Sequence, residues 1–224
     1  MFRKLAGLTA IAGLFIAGSA SAAISGSAHD LRFDIFGSDA SGNLQGEICV
    51  VCHAPHDNAN AGGTLLWNRA ATTTLFVMYD SPTLDSAMNT EPGATSLLCL
   101  GCHDGTIAVD SYGGPDGDAS GGTTVINGSN FGGLAAFGAE MGNDHPIGMV
   151  YLVGTGSGAD PELNATTTSV TFGSGTGTIG SMLQAGAVEC ATCHDVHNTA
   201  SEGNTSLLLV DNAGSALCTT CHIK

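Results

Sequence analysis

All eight cysteines of the 224-residue chain fall into four Cys-x-x-Cys pairs, and a histidine follows each pair at once. The blocks read Cys49-Val-Val-Cys52-His53, Cys99-Leu-Gly-Cys102-His103, Cys190-Ala-Thr-Cys193-His194 and Cys218-Thr-Thr-Cys221-His222. Residues i and i+3 lie on one face of a helical turn. Two thiols at that spacing reach the two vinyl groups of one porphyrin, and a His at i+4 comes beneath its iron. Cys-x-x-Cys-His is the attachment signature of c-type haem. Two simpler uses of paired cysteines compete, a disulfide scaffold in an exported chain and a four-cysteine zinc site, but neither requires His after the second Cys. The expected cofactors are therefore four covalent haems c.

Setting aside the four proximal histidines leaves His29, His56, His145 and His197, four candidates for four sixth positions. His56 follows His53 by three residues and His197 follows His194 by three. Such a second His cannot cross the porphyrin plane to the far side of its own iron. It is expected to serve a neighbouring haem and to tie two haems into a close pair. His29 and His145 lack that local argument. Methionine is the competing sixth ligand and would raise the potential relative to bis-His iron, but Met78, Met88, Met141, Met149 and Met182 share no context with the blocks. The expectation is bis-His ligation throughout and a low-potential set of electron carriers. No iron keeps an exchangeable position by this count, so no catalytic residue and no enzymatic activity are expected, and a multihaem reductase is disfavoured.

Arg3 and Lys4 precede an apolar run, Leu5 to Ile16, that ends in small residues with Ala20-Ser21-Ala22 placed for cleavage. Residues 1–22 read as a secretory signal peptide; the run is shorter than the roughly 20 residues that span a bilayer. The remainder, 23–224, is predicted to be one exported tetrahaem domain without membrane insertion. It keeps three basic side chains, Arg32, Arg69 and Lys224, against 20 acidic ones, a formal charge of -17. Nucleic acid and anionic membrane surfaces are excluded as partners, since both need Lys and Arg to displace counterions. Haem propionates would take the reduced protein to about -25.

Aromatic residues make up only 5% of the chain, so the apolar faces of four porphyrins are expected to replace them as core. Residues 112–181 hold 18 of the 33 glycines and form an insertion between the second and third blocks. Within it Val170-Thr-Phe-Gly173 and the following Ser174 to Gly180 suggest a hairpin. Phe131, Phe137, Met149, Tyr151 and Leu152 offer anchors that a flexible Gly/Ser linker would lack. Helical turns are predicted over Thr95 to Cys102, Ala185 to His194 and Ala213 to His222, the last capped by Asp211-Asn212. Asp116-Gly-Asp118 reads as a polar turn or a calcium pair. The fold class is a multihaem cytochrome c, mostly irregular coil with short helices at the haem motifs and a few short strands, wrapped around four covalent haems.

Several segments together resemble a known family: Ile24-Ser-Gly-Ser-Ala-His29-Asp30, Cys49-Val-Val-Cys-His-Ala-Pro-His56, Cys99-Leu-Gly-Cys-His-Asp-Gly-Thr106, Asp144-His145-Pro-Ile-Gly-Met149 and Cys190-Ala-Thr-Cys-His-Asp-Val-His197. They are similar to the exported multihaem cytochromes of metal-respiring bacteria, and most of all to the tetrahaem type related to outer-membrane cytochrome E, whose members polymerise into extracellular filaments. Val196 departs from the Pro that the family often carries there. The resemblance implies bis-His haems stacked in alternating parallel and T-shaped contacts. It also implies a head-to-tail homopolymer in which one iron takes its sixth ligand from the adjacent subunit. His29 is the candidate for that trans ligand, with ligation inside its own chain as the alternative. The function so implied is a secreted electron conduit that passes electrons from redox-partner cytochromes to extracellular acceptors. A soluble periplasmic tetrahaem shuttle is the second reading.

Overall fold

Helix forms where the haem blocks demand a turn and hardly elsewhere. The computed structural model describes residues 24–31, 48–56, 66–114, 116–118, 121–127, 136–173, 175–197 and 207–223; the expected signal peptide, Arg32, Phe131 and Lys224 lie outside them. In chain order the elements are α1 (Ala94–His103), β1 (Met149–Val150), β2 (Ser169–Phe172), β3 (Gly175–Thr178), α2 (Ile179–Met182), β4 (Ala187–Val188), α3 (Cys190–Cys193), a 3-10 turn (Ala213–Ser215) and α4 (Ala216–Cys221). The rest of the described chain is mostly irregular, as the glycine content predicts. No helix among the described residues is long and apolar enough to cross a membrane.

The expected hairpin is present: β2 and β3 pair antiparallel with Ser169 opposite Thr178 and Phe172 opposite Gly175. Its second strand runs straight into α2. Thr178 Oγ1 accepts from Ser181 N at 3.3 Å while Ser181 Oγ accepts from Thr178 N at 3.0 Å, a reciprocal cap that satisfies two end donors of the helix. The cap turns Ile179 and Met182 inward, where they are almost wholly buried.

The helix expected over Ala185 to His194 does not form as one element. Gln184 and Ala187 exchange both main-chain hydrogen bonds at 3.0 Å, and between them Ala185 and Gly186 sit at φ 51° and 81°. Two consecutive positive φ values make a tight hairpin-type turn, and β4 then pairs with β1, Met149 opposite Val188 and Val150 opposite Ala187. Helix resumes only at Cys190. At the last block the Asp211 carboxylate accepts from Ala213 N at 3.2 Å, but Gly214 and Ser215 take left-handed backbone and divide the expected helix into the 3-10 turn and α4.

Met149, Tyr151, Leu163, Val170, Ile179, Met182 and Val188 make the main apolar cluster, with Leu84, Met88, Leu209 and Val210 packed against it. The glycine-rich segment thus supplies most of this core and is sewn to the third haem block through β1 and β4. Two of its expected anchors behave otherwise: Leu152 is half exposed, and Phe137 is partly exposed with its ring 6.1 Å from that of His103. Met149 and Met182, weighed as ligands, are core residues. Asp118 accepts the Ser111 hydroxyl, and no cluster of three or more cation-binding side chains occurs among the described residues.

Candidate haem-binding site

Each block closes one helical turn. His53, His194 and His222 donate their main-chain N–H to the carbonyls of Cys49, Cys190 and Cys218 at 2.9, 3.1 and 2.9 Å; the second block lies wholly inside α1. Both cysteines of each block therefore share a face, and the proximal His leaves from the end of the turn. None of the eight thiols is paired in a disulfide. Burial pushes those of Cys52 and Cys193 up to about 11.

Three blocks pin the proximal His in the same way. His53 bridges Trp67, His194 bridges Leu208 and His222 bridges Leu163, each antiparallel. The first and third go further. Leu66 and Leu207, just before the bridging residues, have φ 54° and 55°. Ala54 and Asp195 donate to their carbonyls at 2.9 and 2.8 Å, and Asn68 and Leu209 donate to Cys52 and Cys193 at 2.9 and 2.8 Å. The described residues 49–56 with 66–68, and 190–197 with 207–209, thus repeat one arrangement, with the bridging residue 14 positions after the proximal His in both. Sequence reasoning caught only its first half, Cys-x-x-Cys-His-x-x-His; the signal for the rest was a leucine 13 positions after the proximal His in both, Leu66 and Leu207.

The second and third blocks are clamped together by a residue the sequence reading passed over. Glu189, 2% exposed, accepts from Gly93 N with both carboxylate oxygens at 3.1 Å and from Ser96 Oγ at 2.5 Å, while Cys190 N donates to Ser96 Oγ at 3.0 Å. One carboxylate thus joins the N-terminal ends of α1 and α3. Hydrogen bonding between the Cys99 and Cys190 thiols raises the first and lowers the second. After α1, Asp104 is held by the Thr74 and Thr106 hydroxyls at 2.9 and 2.8 Å, and also by Thr72.

The histidines themselves test whether this chain fits haem iron. His53 faces His197 with ring centroids 6.1 Å apart, His29 faces His103 at 6.0 Å, and His145 faces His222 at 6.3 Å. Each pair joins one proximal and one candidate distal residue. Two metal–nitrogen bonds of about 2.0 Å span about 4 Å of such a gap, and the two half-rings cover the remainder. The spacing is what an iron between two imidazoles requires. The protonation states agree. Burial, with His103, His194 and His197 nearby, lowers His29 to about 4, and burial also lowers His145, so both rings are neutral and able to ligate. His145 Nδ1 contacts the Pro146 carbonyl at 3.2 Å; donation there leaves Nε2 for metal. His56 and His194 are the two that remain, and both are exposed.

Residues 183–224 match the family model described as a doubled CXXCH motif, a stretch that contains the third and fourth blocks. No curated protein matches the chain. The matched pair of blocks, with the same turn geometry at all four, marks this chain as a multihaem c-type cytochrome.

Proposed function

We propose that the chain is an exported electron-transfer protein that holds four haems c, each thioether-linked through one cysteine pair and each ligated by two histidines. The observation that carries this reading is the set of three imidazole pairs at iron-spanning distance. His53 and His197 would serve the first haem, His103 and His29 the second, His222 and His145 the fourth. The duplicated unit supports the remaining assignment. If His197 of the second copy serves the first copy's iron, the same relation in reverse, as in any two-fold exchange, gives His56 to the iron above His194. When bound, the haems supply the one-electron chemistry. The chain supplies thiols, imidazoles and close spacing, and leaves no iron open for substrate.

For assembly, the family resemblance supports a filament subunit that conducts respiratory electrons to extracellular acceptors. The ring contact between His29 and His103 of the same chain favours a self-sufficient monomer, the periplasmic shuttle, as second reading. In a filament so built, subunits would be joined by surface contacts and not by His29. Intact-mass counting of haems with a low-spin absorption spectrum tests the cofactor reading; fewer than four haems, or a high-spin fraction in the native protein, would sink it. Electron microscopy and size exclusion of secreted material test the assembly: filaments carry the first reading, and monodisperse monomer at every concentration carries the second.

A further inference from the structure

Arg69 is the one Lys or Arg among the described residues, and it is 2% exposed. A buried guanidinium carries a heavy desolvation cost unless its donors are met. Here Nη1 donates to Val109 O at 2.9 Å and Nη2 to Ala108 O at 2.6 Å, while buried Nε has no partner. The acceptors are main-chain carbonyls, so hydrogen bonding holds the charge in place without cancelling it.

Its position is specific. Residues 67–70 run between the first and second haem blocks. Trp67 bridges His53, and Asn68 N donates to Cys52 O at 2.9 Å. On the other side the Ala70 carbonyl stands against Gly101, 3.6 Å from where a Cβ would be. Arg69 therefore lies in the seam between the two attachment turns. Asp104, the acid beside the second block, is engaged by the threonine hydroxyls at residues 72, 74 and 106.

We infer that Arg69 is the residue that lifts the reduction potentials of the haems at Cys49–Cys52 and Cys99–Cys102 above those at Cys190–Cys193 and Cys218–Cys221. An electron added near a fixed cation is stabilised, and the low-dielectric interior strengthens that attraction over its value in water. Most of the remaining charge acts the opposite way, since 20 acidic residues against Arg32 and Lys224, together with the propionates, disfavour reduction. Electrons on the row would settle on the first and second haems and leave from them. This inference rests on the four-haem reading above.

The test is a potentiometric titration of the full haem-loaded chain, resolved haem by haem by NMR. In the native protein the first and second haems are expected to reduce before the other two. Arg69→Gln is expected to shift those two potentials downward and leave the other two nearly unmoved. Arg69→Lys loses the two-carbonyl clamp just as the glutamine variant does but keeps the charge, and its potentials are expected to stay near native. Native titration in another order, equal shifts at all four haems, or identical behaviour of the two variants would overturn the inference. Four low-spin haems with unmoved potentials would count against Arg69 alone, whereas a shortfall in haem number or spin state would count against the ligation reading.

Discussion

His53 and His197 face each other across 6.1 Å with their ring planes only 19° apart, although they belong to different copies of the duplicated unit. The His29–His103 and His145–His222 pairs are tilted by 58° and 69°. Mutual orientation of two axial imidazoles sets the anisotropy of a ferric low-spin haem. EPR of the oxidised protein is expected to show a rhombic signal from the near-parallel pair beside strongly anisotropic signals, each with one dominant g value, from the tilted pairs. His197→Ala is expected to remove the rhombic signal and to produce one high-spin haem in four, with haem mass unchanged because Cys49 and Cys52 still hold the porphyrin.

His29→Ala tests a different link. Its ring lies against that of His103, so the expected outcome is one high-spin haem at the Cys99–Cys102 block, with the oligomeric state unaltered. Size exclusion alongside the absorption spectrum checks it. Polymer lost together with the low-spin signal would instead assign His29 to a neighbouring subunit.

What could be read from the sequence was what is local. The cysteine turns, the β2–β3 hairpin and the helix ending at His103 follow from spacings of three or four residues and from turn chemistry. The helix expected at Ala185 failed because a long-range partner, β1, captured Ala187 and Val188 after the Ala185-Gly186 turn. Pairings of distal with proximal histidine were illegible for the same reason: they depend on which segments the core brings together. Glu189 and Arg69 escaped notice because each acts through burial, and burial leaves no mark at a single charged position. Arg69 did carry a weak signal, as one of three bases after residue 22 of a strongly acidic chain.

Gly105 follows the second block at φ +78°, and a Cβ there would sit 2.7 Å from the Ile126 carbonyl oxygen. Left-handed backbone costs an L-residue about 1–2 kcal/mol, and the clash adds to that. Gly105→Ala is expected to lower stability by about 2 kcal/mol or more, measured by denaturant unfolding of the haem-loaded chain. A change under half that size would mean the turn relaxes freely.

Tyr151 secures the fourth block from the core side. Its hydroxyl donates to Asn164 O at 2.8 Å and approaches Cys221 O at 3.3 Å, while the Asn164 amide donates to the Thr219 and Thr220 carbonyls at 3.2 and 3.0 Å. Tyr151→Phe keeps the buried ring and removes the hydroxyl, so a loss of about 1 kcal/mol is expected, with four haems retained by mass. Asn164→Ala, which severs the side-chain link to α4, is expected to cost at least as much.

Glu189 offers the sharpest stability test, because its carboxylate is buried and serves two helices at once. Truncation to Ala would leave Gly93 N–H and the Ser96 hydroxyl without their acceptor inside the protein, and each stranded buried donor costs about 1–3 kcal/mol. The expected loss for Glu189→Ala is therefore about 3 kcal/mol or more. Glu189→Gln keeps one carbonyl oxygen for Gly93 but presents an amide donor where the carboxylate accepted from Ser96; that serine already accepts from Cys190 N. An intermediate loss of about 1–2 kcal/mol is expected. The same clamp fixes α1 against α3, so loosening it should also change how the second and third haems sense each other. The measurement is denaturant unfolding of both variants, with EPR of the oxidised protein read for altered magnetic coupling between haems. Alanine and glutamine variants of equal stability would show that packing around Glu189, and not its hydrogen bonds, joins the two helices.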